Sequence, residues 1–150
     1  MSIFRLPIIL VLFLLLIMYS LHESGIGWSY SITYRIEVTI VLFLIGLLIL
    51  AISAYSFRKA KTTVNPIYPE KSSALVIAGI YRHSRNPMYI AFLLWVLAGI
   101  VYFENVINLV FIPIFIILSN KLYIEREEHA LEKIFGESFT IYKTQVRRWL

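Results

Sequence analysis

Four stretches of the chain contain no Asp, Glu, Lys, Arg or His and are long enough to form apolar helices. They are Leu6–Leu21 with 16 residues, Val38–Phe57 with 20, Asn86–Phe103 with 18 and Asn105–Asn120 with 16. A helix needs about 20 predominantly apolar residues, within a range of roughly 17–25, to cross the hydrocarbon core of a bilayer. The second stretch meets that length alone, and the others meet it once flanking apolar residues are added. The pattern therefore predicts about four transmembrane helices, the last two joined by a tight turn at Glu104.

The first stretch has features of a secretory signal as well as of a retained helix. Its apolar core is slightly long for a signal, and no small-x-small cleavage site follows Met18-Tyr19-Ser20. We therefore expect a retained helix.

Beyond Ile124 the pattern becomes amphipathic. Apolar residues recur at three- and four-residue steps, as in a helix with one buried face. They are Leu131, Ile134, Phe135, Phe139, Tyr142, Val146 and Trp149. Because Gly136 interrupts the series, we expect the fourth helix to run on past the membrane and a second short helix to lie on the protein or the bilayer. The predicted fold class is an all-α integral membrane protein, with a cytoplasmic amphipathic C-terminal helical tail and a single domain over residues 1–150.

The amino-acid composition narrows the class of protein further. The 150 residues are 59% hydrophobic and only 15% charged, the mean hydropathy is +0.78, and cysteine is absent. A soluble domain is about half apolar and a quarter charged. These values exclude an ordinary soluble enzyme, a disulfide-stapled secreted module and a soluble doubly wound cofactor domain.

The net charge of +5 comes from one segment. Between Arg58 and Pro87 there are six basic residues and one acidic residue, whereas the rest of the chain is balanced. Beside long apolar stretches, a basic block of this kind favours a cytoplasmic membrane face over nucleic acid as the partner. The positive-inside rule then places both ends of the chain and the long loop in the cytoplasm.

Two polar clusters lie on that predicted cytoplasmic side. Residues 79–89 offer guanidinium, amide and phenol groups at the mouth of the third helix, and residues 125–129 offer carboxylates where the fourth helix leaves the membrane. The hairpin between these helices brings the clusters together. Together they suit a zwitterionic ligand with an additional positive centre, with Arg82, Arg85 and Glu127 among the charged groups available to it.

Simpler interpretations of the same residues stay open. Arg82 and Arg85 are also typical of topology determinants and of contacts to lipid phosphates. Glu127 and Glu128 are also typical of a solvated helix face, and substitution of Glu128 is expected to cost less than that of Glu127 if Glu128 faces solvent. The chain has three histidines and no cysteine, so we expect neither a metal site nor a haem site.

Read in order, these clusters and their neighbours resemble a known pattern. The chain resembles the isoprenylcysteine carboxyl methyltransferase family in its short bacterial form, which is related to the phospholipid methyltransferases. The resemblance covers about residues 62–150, whereas the first two helices match only in being apolar. It is carried by Thr63-Val64-Asn65-Pro66, Pro69-Glu70-Lys71-Ser72-Ser73-Ala74-Leu75-Val76, Gly79-Ile80-Tyr81, Arg85-Asn86-Pro87-Met88-Tyr89, Glu127-Glu128, Leu131, Phe135-Gly136, Tyr142 and Val146-Arg147-Arg148.

The resemblance implies a methyltransferase of the bacterial inner membrane that depends on S-adenosylmethionine and has no Rossmann domain. Its partners are then the lipid bilayer and a lipophilic or amphiphilic acceptor with a carboxylate, thiol or amine head group. The family's cofactor pocket is carried over onto Ser73, Ala74, Leu75, Val76, Tyr81, Asn86, Pro87, Met88, Tyr89 and Glu127. The residues expected at the reacting groups are Arg85, Tyr89 and Tyr123.

Two positions depart from the eukaryotic members of that family. Asn86 stands where they have histidine, so a histidine role does not transfer. Tyr123 stands where they place a substrate-side arginine, so prenylated cysteine is not the expected acceptor. The sequence leaves the acceptor and the oligomeric state open.

A kink expected in the fourth helix indicates where an acceptor would enter. Pro113 is expected in the interior of the fourth helix, where a proline bends the helix and opens a lateral gap. We expect the acceptor tail there, among residues such as Leu93, Ile114 and Ile117. Two other functions remain as alternatives: an NADPH-dependent membrane reductase of the sterol-reductase type, and a non-enzymatic lipid-binding membrane subunit.

Overall fold

The computed structural model describes residues 6–62 and 72–150, and within these ranges it forms helices and no β-strand. Single helical turns occur at Gly79–Arg82 and Val106–Val110, both 3₁₀, and at Asn120–Ile124, which is a π-helical turn. The α-helices of the described residues are α1 (Pro7–Glu23), α2 (Arg35–Lys59), α3 (Pro87–Phe103), α4 (Phe111–Ser119), α5 (Glu125–Phe135) and α6 (Glu137–Gln145).

Each of the four apolar stretches is helical, as predicted. Among the residues that the structure describes, two helices are long and apolar enough to cross a membrane: α2, with 25 residues, and the continuous stretch Val106–Phe135, with 30. In the second, the apolar part ends at Ile124, because α5 carries charged residues from Glu125 onward; we therefore place α5 outside the apolar span. The helices α1 and α3 are also apolar but shorter, with 17 residues each.

The structure places Pro113 nearer the start of its helix than predicted. Pro113 is the third residue of α4, directly after the 3₁₀ turn, and a proline is tolerated in a first turn because its missing N–H has no partner there. The irregularity in this stretch is instead the π-helical turn Asn120–Ile124.

Helix α3 is the axis of the bundle, with α2 against one side and α1 and α4 against others. Small residues allow the close approach. A Cβ at Gly46 of α2 would lie 2.6 Å from the Trp95 indole nitrogen and 2.9 Å from the Ala91 carbonyl oxygen. A Cβ at Gly99 of α3 would overlap the Leu15 side chain of α1. Such glycines are typical of helix interfaces in membranes, where van der Waals contact drives association.

One end of the bundle is closed by Glu104, which has a left-handed backbone (φ 46°) at the α3–α4 turn. Its carboxylate accepts the Ile32 N–H at 2.7 Å and pairs with Arg35 at 3.0 Å. The adjacent Asn105 amide donates to the Ile26 carbonyl at 2.7 Å. The loop between α1 and α2 is thereby tied to the hairpin.

The opposite end carries the amphipathic tail. As predicted, the helix breaks at Gly136, whose positive φ of 50° lets the chain turn back, and α6 follows. Phe139 and Tyr142 of α6 are buried, and the Tyr142 hydroxyl donates to the Tyr81 carbonyl at 2.6 Å. Helix α6 therefore lies on the protein. The extended residues 146–149 that follow it, here called the strap, run along the start of α3.

Candidate functional site

A cavity of about 300 Å³ lies at this second end of the bundle, where α1 and α3 begin and α2 ends. That volume is at the lower limit of small-molecule sites, which hold about 300–1,000 Å³. Most of the wall is apolar, and its polar groups come from α5, α6, the first turn of α3 and the segment 72–86 that precedes it. The wall is formed by Leu6, Pro7, Ile8, Phe57, Ser72, Ala74, Leu75, Val76, Tyr81, Arg85, Asn86, Met88, Tyr89, Phe92, Glu127, Glu128, Leu131, Phe139 and Tyr142.

The cavity contains a carboxylate held by a phenol. The Tyr89 hydroxyl donates to Glu127 Oε1 at 2.7 Å, which joins the first turn of α3 to the first turn of α5. Burial raises the pKa of Glu127 to about 7, although the Tyr89 hydrogen bond and the Arg126 charge act in the opposite direction. Glu127 keeps part of its surface open to the cavity. It is therefore an acceptor for a cation, in surroundings that give an ion pair high strength.

Tyr81 fixes the apolar wall on the opposite side. Its hydroxyl bonds to the buried Ser53 of α2, and its ring meets Phe57 edge-on at 5.4 Å. Burial raises the pKa of Tyr81, so the phenol is neutral at any physiological pH. With its carbonyl held by Tyr142, this residue is anchored from two helices. Leu75 and Val76 extend the same wall.

The second carboxylate of α5 is part of a buried ion-pair network. Glu128 Oε1 accepts from Arg85 at 2.7 Å, and Glu128 Oε2 accepts from Arg148 of the strap at 2.6 Å. These two guanidinium groups hold the pKa of Glu128 below its usual range although burial acts to raise it. Glu128 is only 7% exposed, so the alternative of a solvated face does not apply to it.

Arg85 lines the cavity, but its donors are largely committed to the protein. Of the five N–H groups of a guanidinium, two bond to Glu128 Oε1 and two others bond to the carbonyls of Lys143 and Val146. At most one donor remains for a ligand carboxylate. The neighbouring Asn86 amide also donates to the strap, at the Arg148 carbonyl.

The structure brings most of the sequence-predicted cofactor residues to one cavity. Ser73 is exposed and bonds to Thr62 and Lys61 at the end of α2 instead. Pro87 and Tyr123 do not line the wall, and the Tyr123 ring lies behind Tyr89 at a centroid distance of 6.3 Å. The residues that do line it are Ala74, Leu75, Val76, Tyr81, Arg85, Asn86, Met88, Tyr89 and Glu127.

The sequence missed the apolar side of the cavity. Leu6, Pro7 and Ile8 of α1, with Phe57 of α2 and Phe92 of α3, carry no polar signal that marks them as a site. The tail residues Leu131, Phe139 and Tyr142 show helical apolar spacing, and Leu131 and Tyr142 belong to the family pattern, but neither signal by itself predicts a place in the cavity wall.

Some residues expected at the site do not line the cavity, and some motif segments are not among the described residues. Arg82 is exposed and does not line the cavity, and neither do the acceptor-tail candidates Leu93, Ile114 and Ile117. The motif segments 63–66 and 69–71 lie outside the described residues.

Comparisons with known proteins point to one family. A family model described as phospholipid methyltransferase matches residues 34–138, more than half of the chain. It includes α2 and therefore begins earlier than the expected limit near residue 62, and it ends before the strap. A Haemophilus influenzae protein described only as uncharacterized is 41% identical over 63 residues, which is 42% of this chain and all of that protein. No solved structure matches the chain.

The two adjacent carboxylates are expected to respond oppositely to neutralisation. At pH 8, Glu128→Gln should lower the free energy of unfolding by about 3 kcal/mol, because it leaves Arg85 without its charge partner and Arg148 with only its 3.9 Å pair to the exposed Glu125. Glu127→Gln should raise it by about 2 kcal/mol, because a carboxylate whose folded pKa is raised to about 7 destabilises the fold at higher pH.

The pH dependence of the two effects separates the destabilising charge of buried Glu127 from the stabilising ion pairs of Glu128. As pH falls through about 7, folded Glu127 becomes protonated, so the gain from Glu127→Gln should shrink steadily towards pH 5.5 and is fully lost only below the unfolded pKa. The Glu128→Gln loss should persist at pH 5.5, since the lowered folded pKa keeps Glu128 charged there. Thermal unfolding of the purified protein between pH 5.5 and 8 measures both, with Glu125→Gln on the same helix as the control. Losses of equal size for both variants at pH 8 would contradict the assignment.

Proposed function

The chain belongs to the phospholipid methyltransferase family, and from that premise we propose that it is an S-adenosylmethionine-dependent methyltransferase acting on an amphiphilic acceptor. The family supports a membrane methyltransferase in general. The observation that carries the finer proposal is the Tyr89-bonded, partly accessible carboxylate of Glu127 inside an otherwise apolar cavity.

The residues present fit that cofactor. S-adenosylmethionine has an ammonium, a sulfonium and one carboxylate, and Glu127 would pair with the ammonium through a charge-assisted hydrogen bond. Leu75, Val76 and the Tyr81 ring would hold the adenine by apolar contact. The cofactor carboxylate would meet the single remaining Arg85 donor, which is a weaker site than the free arginine expected from the sequence.

The protein's part in the chemistry is positioning. When bound, the cofactor supplies a methyl group already activated by its positively charged sulfur. Tyr89 fixes Glu127, the apolar wall excludes water, and the network around Arg85 holds α3, α5 and the strap in register. Orientation of this kind lowers a barrier by roughly 7–11 kcal/mol at best. A carboxylate or thiolate acceptor needs no base, whereas an amine has to arrive neutral.

The acceptor enters from the side of α1 and α2. The apolar part of the cavity is bordered by Leu6, Pro7 and Ile8 at the start of α1, by Phe57 near the end of α2, and by Phe92 between them on α3. An aliphatic tail fits this border better than the surface around Ile117, which is 52% exposed and away from the cavity. A lipid-like tail would lie here, with its head group near Tyr89.

Four membrane spans and a cytoplasmic site complete the proposal. At 1.5 Å per residue, α1 and α3 are about 26 Å long, close to the hydrocarbon thickness of about 30 Å. Both pack within the same bundle as the two longer apolar helices. The basic residues near the cavity end, among them Arg58, Lys59 and Lys61, favour the cytoplasm for that end and for both ends of this chain.

Loss of the Glu127 charge should remove cofactor binding. Glu127→Gln is expected to weaken S-adenosylmethionine binding by at least about 100-fold, because an uncharged partner leaves the ammonium desolvated and without a counter-charge. Isothermal titration of the purified protein measures the affinity, and Glu125→Gln, exposed on the same helix, should bind as the unmodified protein does. Equal affinities for Glu127→Gln and the unmodified protein would remove Glu127 from the site. Binding of NADPH in place of S-adenosylmethionine would favour a reductase.

The acceptor route gives a prediction on chain length. In nanodiscs, methylation of carboxylate, thiol or amine acceptors should accelerate with alkyl length. Ile8→Trp should slow the long-chain reaction at least about tenfold by filling the apolar border, with cofactor affinity unchanged. Ile117→Trp adds the same bulk to a lipid-facing position and should change the rate less than twofold. Rates that do not depend on chain length would rule out entry from the bilayer.

Orientation is testable because the chain has no cysteine. His83→Cys near the cavity end and Ser24→Cys at the opposite end are both exposed. In spheroplasts of a bacterial expression host, an impermeant thiol reagent should label Cys at position 24 directly and at position 83 only after lysis. The reverse pattern would invert the proposed topology.

A further inference from the structure

Trp149 of the strap contacts α3, which carries Tyr89, and the stretch of α4 and Asn120 that leads into α5, which carries Glu127. Its indole ring meets Tyr89 of α3 at a centroid distance of 6.5 Å and an interplanar angle of 74°, and it meets Phe115 of α4 at 6.5 Å and 69°. Its ring nitrogen donates to Asn120 Oδ1 at 3.1 Å. Trp149 itself does not line the cavity.

Both contacts lead to the candidate site. Tyr89 is the residue that hydrogen-bonds Glu127. Asn120 is the first residue of the π-helical turn, which directly precedes α5 and so sets the rotation at which α5 presents Glu127. A side chain that contacts both Tyr89 and Asn120 can keep the Tyr89 hydroxyl at a fixed distance from the Glu127 carboxylate.

Trp149 is itself held from several directions. The Arg85 N–H donates to the Arg147 carbonyl at 3.0 Å, the Asn86 amide donates to the Arg148 carbonyl at 2.9 Å, and Arg148 pairs with Glu128. The strap therefore has little freedom to move the indole away. Leu150, the next residue, is 78% exposed and makes no part of this packing.

We propose that Trp149 is a positioning residue for the cofactor site, acting through the Tyr89 ring and through Asn120 to keep the Tyr89 hydroxyl on Glu127. This rests on the proposed function, since the site that it positions is the proposed S-adenosylmethionine pocket. A binding group gains from a rigid supporting layer because a shift of an ångström weakens a charge-assisted hydrogen bond. The strap would then be a part of the site that contributes no atom to the cavity wall.

The test is a pair of double-mutant cycles read as S-adenosylmethionine affinity by isothermal titration of the full chain. Trp149→Ala should weaken binding at least about tenfold, Trp149→Phe about threefold, and the control Leu150→Ala less than 1.5-fold. In a Tyr89→Phe background, which already lacks the hydroxyl, Trp149→Ala should weaken binding less than twofold further. The double variant with Trp149→Phe and Asn120→Ala should bind the cofactor as weakly as the weaker of the two single variants. Each substitution removes the same hydrogen bond, the one from the Trp149 indole N–H to Asn120 Oδ1.

A purely structural role would not give these couplings. Equal effects of Trp149→Ala with and without the Tyr89 hydroxyl, or unchanged affinity in the Trp149 variants, would overturn the positioning role while leaving the proposed function in place. If Trp149→Ala does not fold, the cycle of Trp149→Phe with Asn120→Ala decides, and additive losses there would overturn it. Absence of S-adenosylmethionine binding to the unmodified protein would instead overturn the proposed function, and this inference with it.

Discussion

The buried carboxylate of Glu128 is the interaction on which the cavity end of the molecule depends. It neutralises Arg85, which precedes α3, and Arg148, which lies in the strap. Three chain segments far apart in sequence thus meet at one carboxyl group. In a site of low polarity, leaving any of these three charges without a partner is costly. The network therefore fixes where α3 begins, how α5 leaves the bundle and where the strap lies.

The same network explains how two adjacent glutamates take different roles. Neighbouring residues on a helix point about 100° apart, so Glu128 faces the arginines and Glu127 faces the cavity. Two guanidinium groups lower the pKa of Glu128. Burial raises the pKa of Glu127, although its hydrogen bond from Tyr89 acts in the opposite direction. Divergence of this kind between neighbouring titratable groups is typical of sites where one group supports and the other binds. The bundle supplies the rigid frame, because glycine contacts hold α1 and α2 close to α3.

Much of this architecture could be predicted from the sequence, for clear physical reasons. Uninterrupted apolar stretches locate the helices, Pro87 marks a helix start and Gly136 marks a break, since each acts through local backbone chemistry. The site residues predicted from the ordered motifs make up nine of the 19 residues that line the cavity. The sequence could not give the partner of Glu128, because an ion pair between residues 43 apart in the chain (Arg85 and Glu128) is decided by packing. For the same reason, the apolar border at Ile8 and the position of Pro113 within its helix were not predicted correctly.

The π-helical turn at Asn120–Ile124 has a consequence for how such chains are compared. A π-helical turn accommodates one residue more than an α-helix would in the same length. Deleting a single residue there would convert the turn to regular α-helix and leave the orientation of α5 largely unchanged, whereas a deletion in the α-helical part of this stretch would rotate everything after it by about 100°. Such a rotation would turn Glu127 away from the cavity and Glu128 away from its arginines. When relatives are aligned, a one-residue gap at Asn120–Ile124 is therefore compatible with the same polar end, and a one-residue gap within α4 is not.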